Sequence, residues 1–149
     1  RLAAEHATAA DLLAIETAYE GMIEALANDD LRFDGKSHDE YDVAFHEAIF
    51  TASHNLVWAQ ISHVLKPAIA LLVERSNHSA DRLNDSMDRH RRVMEAIRLR
   101  QPQEAARAAL AVLERTGQDL GLEGVTRSPA TIETTFDAPE FPATRQQEG

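Results

Sequence analysis

The chain lacks cysteine and has few aromatic residues, and each shortage excludes a class of protein. Without cysteine there can be no disulfide scaffold, no thiolate zinc site and no thiol nucleophile, which fits a reducing compartment. Aromatic residues make up only 5% of the 149 residues, so aliphatic and alanine side chains must fill the core. Neither a glycine-rich phosphate loop nor a Gly-x-Ser-x-Gly elbow occurs in the sequence, and nothing specifies a nucleophile.

Positive charge and long apolar runs are also scarce. The formal net charge is −10, so the surface repels phosphate backbones and is not expected to bind nucleic acid by itself. No uninterrupted apolar run approaches the roughly 20 residues that span a bilayer, and the N-terminus lacks the apolar region of a signal peptide. The sequence therefore predicts a cytoplasmic protein without membrane contact.

Helical periodicity, in contrast, covers most of the first 120 residues. The spacing of Thr8 and Asp11, and of Ser37 and Glu40, matches the capping box that starts a helix. Apolar residues then recur at intervals of three and four, which is typical of amphipathic helices. We predict an all-α fold, an antiparallel bundle of about six helices with an extended C-terminal tail over residues 121–149.

Residues 56–73 form the most apolar of the predicted helices. Apolar side chains lie on most of its sides, which is typical of a central or interface helix, so we expect a homodimer. Pro67 removes one backbone donor, and we expect a kink or break near residues 64–66. The polar segment Arg75–Asp85 is expected to be a loop, and the last helix should run from Pro102 to about Leu120.

Two of the seven histidines, His46 and His90, sit among the apolar positions of their own helices. Burying an imidazole without a partner costs roughly 1–3 kcal/mol, so each needs one. Asp42 lies four residues before His46, which places the two Cβ atoms about 5–6 Å apart on one helix face. The residues alone leave two interpretations open, a hydrogen-bonded Asp–His pair or a metal shared by Asp42, His46 and His90. The other histidines look like surface or loop residues.

The common motifs of helical metal enzymes are missing. Phe50 stands where a His-Glu-x-x-His metalloprotease would have its second histidine, and no histidine has a glutamate three residues before it, as di-iron bundles require.

Three segments of the sequence carry motifs: Asp42-Val-Ala-Phe-His46…Ala52-Ser-His-Asn55, His90-Arg-Arg-Val-Met-Glu-Ala-Ile97 and Gln101-Pro-Gln-Glu-Ala-Ala. Together with the opening segment Arg1–Asp29, they resemble the FCD domain, the ligand-binding half of FadR-type regulators in the GntR family of bacterial transcription regulators. Two resemble its Asp-x-x-Phe-His…Ala-x-x-Asn and His-x-x-Ile-x-x-Ala-Ile signatures, with Val93 replacing the first isoleucine of the second. The third is similar to its turn before the last helix. The resemblance extends over about residues 1–120.

This resemblance implies a helical bundle that dimerises and senses a small carboxylate metabolite, such as a sugar acid or hydroxy acid. Many members of the family hold a divalent metal (Zn, Ni or Mn here) with one aspartate and three histidines. The first three ligands correspond to Asp42, His46 and His90, whereas the fourth position is occupied by Val112, which cannot ligate. The resemblance therefore implies either a three-ligand site with an extra open position or a weak or empty one.

The resemblance also implies a domain organisation. Residues 1–120 would be the sensing and dimerisation domain, and the family's N-terminal winged helix-turn-helix, through which DNA would be bound, is absent from this chain. We expect no enzymatic activity. One alternative is a metal-dependent hydrolase or lyase using Asp42, His46 and His90, because three ligands and an open position are the layout of catalytic metal sites. The other is a metal-free structural helical domain in which both histidines are satisfied in the core.

Overall fold

A computed structural model of the chain describes residues 1–76 and 80–121, and it confirms the all-α class and the predicted number of helices. The two-residue strands pair antiparallel, Arg32 with Ser37 and Phe33 with Lys36. The predicted tail lies almost entirely outside the described residues. The elements in chain order are α1 (Leu2–His6), α2 (Ala9–Leu26), β1 (Arg32–Phe33), β2 (Lys36–Ser37), α3 (His38–Ala52), α4 (Leu56–Ser76), α5 (Ala80–Arg98) and α6 (Pro102–Asp119).

Both predicted capping boxes are present and fix where α2 and α3 begin. The Thr8 hydroxyl accepts a hydrogen bond from the backbone N–H of Asp11 at 3.2 Å. At the start of α3, the Ser37 hydroxyl accepts from the Glu40 N–H, and the Glu40 carboxylate accepts from the Ser37 N–H at 2.7 Å. A fixed first residue fixes the register of the helix, so the capping box of α3 also determines which of its side chains face the core.

The core is built mainly from aliphatic and alanine side chains, as the scarcity of aromatic residues predicted. Its largest fully buried apolar side chains are Phe45, Ile15, Met22 and Ile97. Small residues let the helices approach closely around them, and those in the core cluster include Ala3, Ala4, Ala18, Ala25, Ala52, Ala96, Ala105 and Ala108. The Phe45 ring lies against both histidines of interest, with its centroid 5.9 Å from that of His46 and 5.2 Å from that of His90, so core packing holds α3 next to α5.

Gly21 marks the closest approach of α2 to α3. A Cβ atom at this position would lie 2.2 Å from the ring of Tyr41, which is itself buried and donates a hydrogen bond to the Phe33 carbonyl. We expect Gly21→Ala to lower the free energy of unfolding by about 1–3 kcal/mol, because overpacking outweighs the helix propensity gained. Denaturant unfolding measures the change. In a Tyr41→Ala background the same substitution should cost nothing, and an equal cost there would contradict the contact.

Two local expectations from the sequence are wrong, namely a break in α4 near Pro67 and a loop over Arg75–Asp85. Helix α4 continues through Pro67 without a break. The ring removes only the donor to the carbonyl four residues earlier, and that residue, His63, is exposed, so water can satisfy the carbonyl. The segment Arg75–Asp85 is largely helical, because α4 ends at Ser76 and α5 begins at Ala80. The turn Asp34-Gly35 has positive φ at both residues, which makes the loop a tight hairpin.

Helix α4 exposes most of its apolar side chains. Val64 is 79% and Leu56 75% exposed, and Val57, Val64 and Leu71 recur at a spacing of seven along one face. Contrary to the sequence-based expectation, Leu56–Arg75 is long and apolar enough to cross a membrane by length and composition alone. Exposed apolar faces of this kind are typical of contact surfaces.

Candidate metal centre and adjoining cavity

Asp42, His46 and His90 meet at one point between α3 and α5. Asp42 Oδ1 lies 3.2 Å from His46 Nε2 and 3.3 Å from His90 Nε2. The Asp42 and His90 side chains are buried, whereas the His46 side chain is 26% exposed. In the part of the chain that the structure describes, this is the one group of at least three potential ligands within 4.8 Å of one another. Two helices therefore bring a carboxylate and two imidazoles together as the sequence suggested.

The backbone of α5 selects the tautomer of His90. The Nδ1 atom lies 2.8 Å from the Ser86 carbonyl oxygen, which can only accept a hydrogen bond, so Nδ1 carries a proton. In a neutral imidazole the other nitrogen, Nε2, then holds the lone pair, and this is the atom that faces Asp42. A histidine oriented by a carbonyl through its second nitrogen is the usual arrangement of a metal ligand.

Two atoms at the centre of the triad lack a hydrogen bond. Asp42 Oδ1 and His90 Nε2 are buried and have no hydrogen-bond partner among the described residues, because their short contacts are poorly aligned for one. Such groups are costly to bury unless something binds them. A cation between them would satisfy both, and the donor set, one carboxylate oxygen and two imidazole nitrogens, suits zinc, nickel or manganese. The three residues thus fit a divalent metal.

The pKa shifts of Asp42 and His90 also favour a bound cation at the triad. Burial alone would raise the pKa of Asp42, but the imidazoles of His46 and His90 outweigh it and hold that pKa far below its usual range. Burial would lower the pKa of His90, yet the Asp42 carboxylate and the Ser86 carbonyl raise it. A buried carboxylate that stays ionised attracts positive charge, which is supplied by a proton on His90 or by a metal ion.

A cavity of about 430 Å³ adjoins the triad on the side of His46. Helix α6 contributes Val112 to its wall, so the residue that the sequence resemblance aligns with a fourth ligand position faces the same cavity as His46. Phe50 and Trp58 form another wall, with their rings stacked at 6.0 Å between centroids and 22° between planes. The cavity gives a small molecule space next to the open side of the triad.

Helix α1 forms part of the wall of this cavity. The lining includes Arg1, Leu2 and Ala3 at the N-terminal end of the helix, and Arg100 contacts its C-terminal end. The Arg100 guanidinium donates hydrogen bonds to the carbonyls of Ala4, at 3.4 Å, and Ala7. These carbonyls are among those left free at the end of a helix, so Arg100 acts as a C-terminal cap from another part of the chain.

Comparison with known proteins agrees with these observations. The profile of the FCD domain matches residues 1–115. The chain belongs to the FCD domain family. It is also 33% identical over 115 residues to the galactonate operon transcriptional repressor of Escherichia coli (strain K12). That match covers 76% of this chain and 47% of the relative, so the chain spans about half the length of the curated relative it matches.

Sequence reasoning placed the three candidate ligands of this FCD domain correctly relative to one another but missed their surroundings. The contact between Ser86 and His90 could have been predicted, because the residue four positions before a histidine in a helix can offer its carbonyl to the imidazole. No sequence signal pointed to Trp58 or Arg1 at the cavity. His38 is a correction, because it is 2% exposed and not a surface residue, and neither ring nitrogen has a hydrogen-bond partner in the described ranges.

Proposed function

We propose that this FCD domain senses a small carboxylate metabolite through a divalent metal, zinc, nickel or manganese, held by Asp42, His46 and His90. One observation carries the proposal. Two buried atoms without hydrogen bonds, Asp42 Oδ1 and His90 Nε2, converge with His46 Nε2 beside a cavity of ligand size. These atoms favour a bound cation over a metal-free structural domain in which both histidines are satisfied.

The chemistry of such a site suits an acid that chelates through oxygen. Three protein ligands leave positions open on the metal, and Val112 supplies no lone pair from the wall of α6. A carboxylate with a neighbouring hydroxyl can occupy two positions, which supports a sugar acid or hydroxy acid as the effector. The name of the Escherichia coli relative, a galactonate operon repressor, supports an organic acid as the signal.

The family supports a regulatory role over a metal-dependent hydrolase or lyase built on the same three residues. We propose that the domain acts within a cytoplasmic regulator whose DNA-binding domain lies outside this chain. The effector would bind one arrangement of a dimer better than the other and so shift the population between them. Effector binding would in this way control transcription, and the domain itself would not catalyse a reaction.

A thermal-shift experiment tests the proposal. The chelator-treated protein is heated with a panel of carboxylic acids, each with and without Zn²⁺. A binding acid at 100 times its Kd should add about 2.7 kcal/mol of stability, and only when metal is present. Asp42→Asn is the control and should lose both the metal effect and the acid effect. Equal stabilisation of both proteins, or none of the wild type by any acid, would contradict the proposal.

The exposed face of α4 predicts a homodimer. Val57, Val64 and Leu71 lie on one face and leave apolar surface in water that a second copy would cover. We expect a dimer by sedimentation velocity at tens of micromolar, and Val64→Glu should convert it to a monomer. Leu13→Glu is the matched control, because Leu13 is likewise exposed (64%, against 79% for Val64) but lies on α2. A monomeric wild type, or a Val64→Glu dimer, would contradict this assignment.

The pH dependence of stability should change sign with metal. The raised pKa of His90 gives the metal-free protein stability that is complete below about pH 6.5 and lost as pH rises through the folded-state pKa. The lowered pKa of Asp42 gives stability present above about pH 4 and lost in stronger acid. Metal requires neutral imidazole, so its stabilisation should instead grow with pH.

Unfolding in urea between pH 5 and 8, with Zn²⁺ or with a chelator, measures the two trends. Metal-free stability should fall across this range while the increment from Zn²⁺ rises. In Asp42→Asn both trends should flatten, because neither the proton nor the metal keeps its carboxylate partner. Parallel curves with and without metal would mean that metal and the His90 proton do not compete.

A further inference from the structure

We propose that the effector of this domain is a 2-hydroxy acid with an aromatic body, and not a polyhydroxylated sugar acid. The inference rests on the proposed function and specifies the substrate class of the same cavity. It follows from the cavity wall, whose composition differs from what a sugar acid needs. The carboxylate and the 2-hydroxyl would face the triad, and the rest of the molecule would lie among apolar side chains.

Apolar groups form nearly the whole wall. Phe50 and Trp58 present a stacked pair of rings, and Ile49 adds a branched aliphatic side chain from α3. From the opposite side, α5 and α6 contribute Val93 and Leu113. A wall of flat rings flanked by branched aliphatic groups favours a ligand that has an aromatic ring. Such a ring would bury apolar surface and could make edge or offset contacts with both aromatic side chains. The volume of about 430 Å³ lies in the usual range for small-ligand sites.

Polar groups on the wall are few, and one is already engaged. Among the described residues that line it, the side chains with hydrogen-bonding atoms are Arg1, His46, Ser53 and Trp58, the last through its indole N–H. The Ser53 hydroxyl donates to the Phe50 carbonyl at 2.6 Å and accepts from the Asn55 N–H at 3.3 Å, so its proton and one of its two lone pairs are already used. The donors left for a ligand are those of His46 at the triad, of Trp58 through its indole N–H, and of Arg1, which pairs with Glu5. All three suit a carboxylate or its neighbouring hydroxyl.

A sugar acid would therefore bury hydroxyls without partners. Galactonate carries five hydroxyl groups, which is more than the metal, His46 and the Trp58 indole N–H together could serve. Each hydroxyl left unpaired in the cavity should lower the affinity by about tenfold. The domain is 33% identical to a galactonate operon repressor. The composition of the cavity wall nevertheless favours a different effector for this chain.

Trp58 provides the readout, because it is the only tryptophan in the chain and lines the cavity. The Zn²⁺-loaded protein is titrated with 3-phenyllactate and with galactonate while tryptophan fluorescence is followed, and calorimetry confirms each Kd. We expect 3-phenyllactate to bind at least tenfold more tightly than galactonate. Lactate, which keeps the chelating end but lacks the ring, should bind at least tenfold more weakly than 3-phenyllactate.

A matched pair of variants tests whether the cavity wall is responsible. Leu113 and Leu110 lie on α6 and are 61% and 50% exposed, but only Leu113 lines the cavity. Leu113→Ala should weaken 3-phenyllactate binding by about three- to tenfold, and Leu110→Ala should leave it unchanged. Zn²⁺ affinity should stay the same in both variants, because neither residue belongs to the triad.

The outcomes separate the failure of this inference from the failure of the proposed function. Galactonate binding as tightly as 3-phenyllactate or more tightly would overturn the aromatic class and leave a carboxylate sensor standing. Equal losses in Leu113→Ala and Leu110→Ala would overturn the assignment of the cavity as the site of the ring. If no acid of either class binds the Zn²⁺-loaded protein, both the inference and the proposed function are wrong.

Discussion

Replacing His90 with alanine should lower the affinity of the protein for Zn²⁺ by more than about 100-fold. Among the described side chains of α5, His90 is the only candidate ligand, so without it the metal would be held by two residues of a single helix. The substitution also removes the imidazole that the Ser86 carbonyl orients, and no other described side chain completes the group. Calorimetric titration of the chelator-treated protein with Zn²⁺ measures the loss.

The control for this prediction is His63→Ala. His63 lies on the exposed surface of α4 and does not belong to the triad, so its removal changes the number of histidines without touching the site. Because a buried side chain is lost in His90→Ala, circular dichroism must show that the variant keeps its helices, and His90→Gln repeats the test with less change in volume. If wild type and His90→Gln bind Zn²⁺ alike in a folded state, the metal does not bind at this triad.

The opposite change is expected at Val112, where histidine should tighten Zn²⁺ binding by about tenfold or more. Val112 is buried on α6 and lines the cavity that His46 also faces. An imidazole there would contribute a ligand from a third helix, and a fourth protein ligand closes the tetrahedral shell of a structural zinc site. The gain should come with a loss of acid binding, because the added ligand takes a position that the effector would use. Calorimetry with Zn²⁺ and then with 3-phenyllactate measures both effects.

Ala109→His is the matched control for Val112→His. Ala109 lines the same cavity about one turn earlier on α6, so this variant adds an imidazole to the wall at a different position along the helix. If Ala109→His tightens Zn²⁺ binding and Val112→His does not, the alignment of the last helix with the family is wrong by a turn. If neither variant changes the affinity, α6 does not reach the metal at all.

The elements that could be predicted from the sequence are those set by local interactions. The capping boxes at Thr8 and Ser37 form between residues three apart, so their spacing alone locates the starts of α2 and α3. Asp42 and His46 share a face for the same reason. His90 is 44 residues beyond His46, and only its apolar surroundings and the resemblance to a family connected it with the pair.

The features that were missed depend on contacts between distant segments. His38 looked like a surface residue because it starts a helix, and its burial comes from the packing of the bundle. Pro67 was expected to break α4, but exposure of the preceding turn to water removes most of the cost. The ring stack of Phe50 and Trp58 joins two helices across a turn, so neither residue alone predicted an aromatic wall.

The hydrogen bonds from the Arg100 guanidinium to the end of α1 have a consequence for local stability. A helix of five residues is too short to persist in water by itself, so α1 is folded only while Arg100 caps it and its alanines are packed. The same helix lines the cavity with Leu2 and Ala3, and a molecule that fills the cavity adds contacts to it. Opening of α1 should therefore require less free energy than global unfolding, and occupancy of the cavity should raise that requirement. Amide hydrogen exchange at the first turn of the domain would then record whether the cavity is filled, without any probe attached to the ligand.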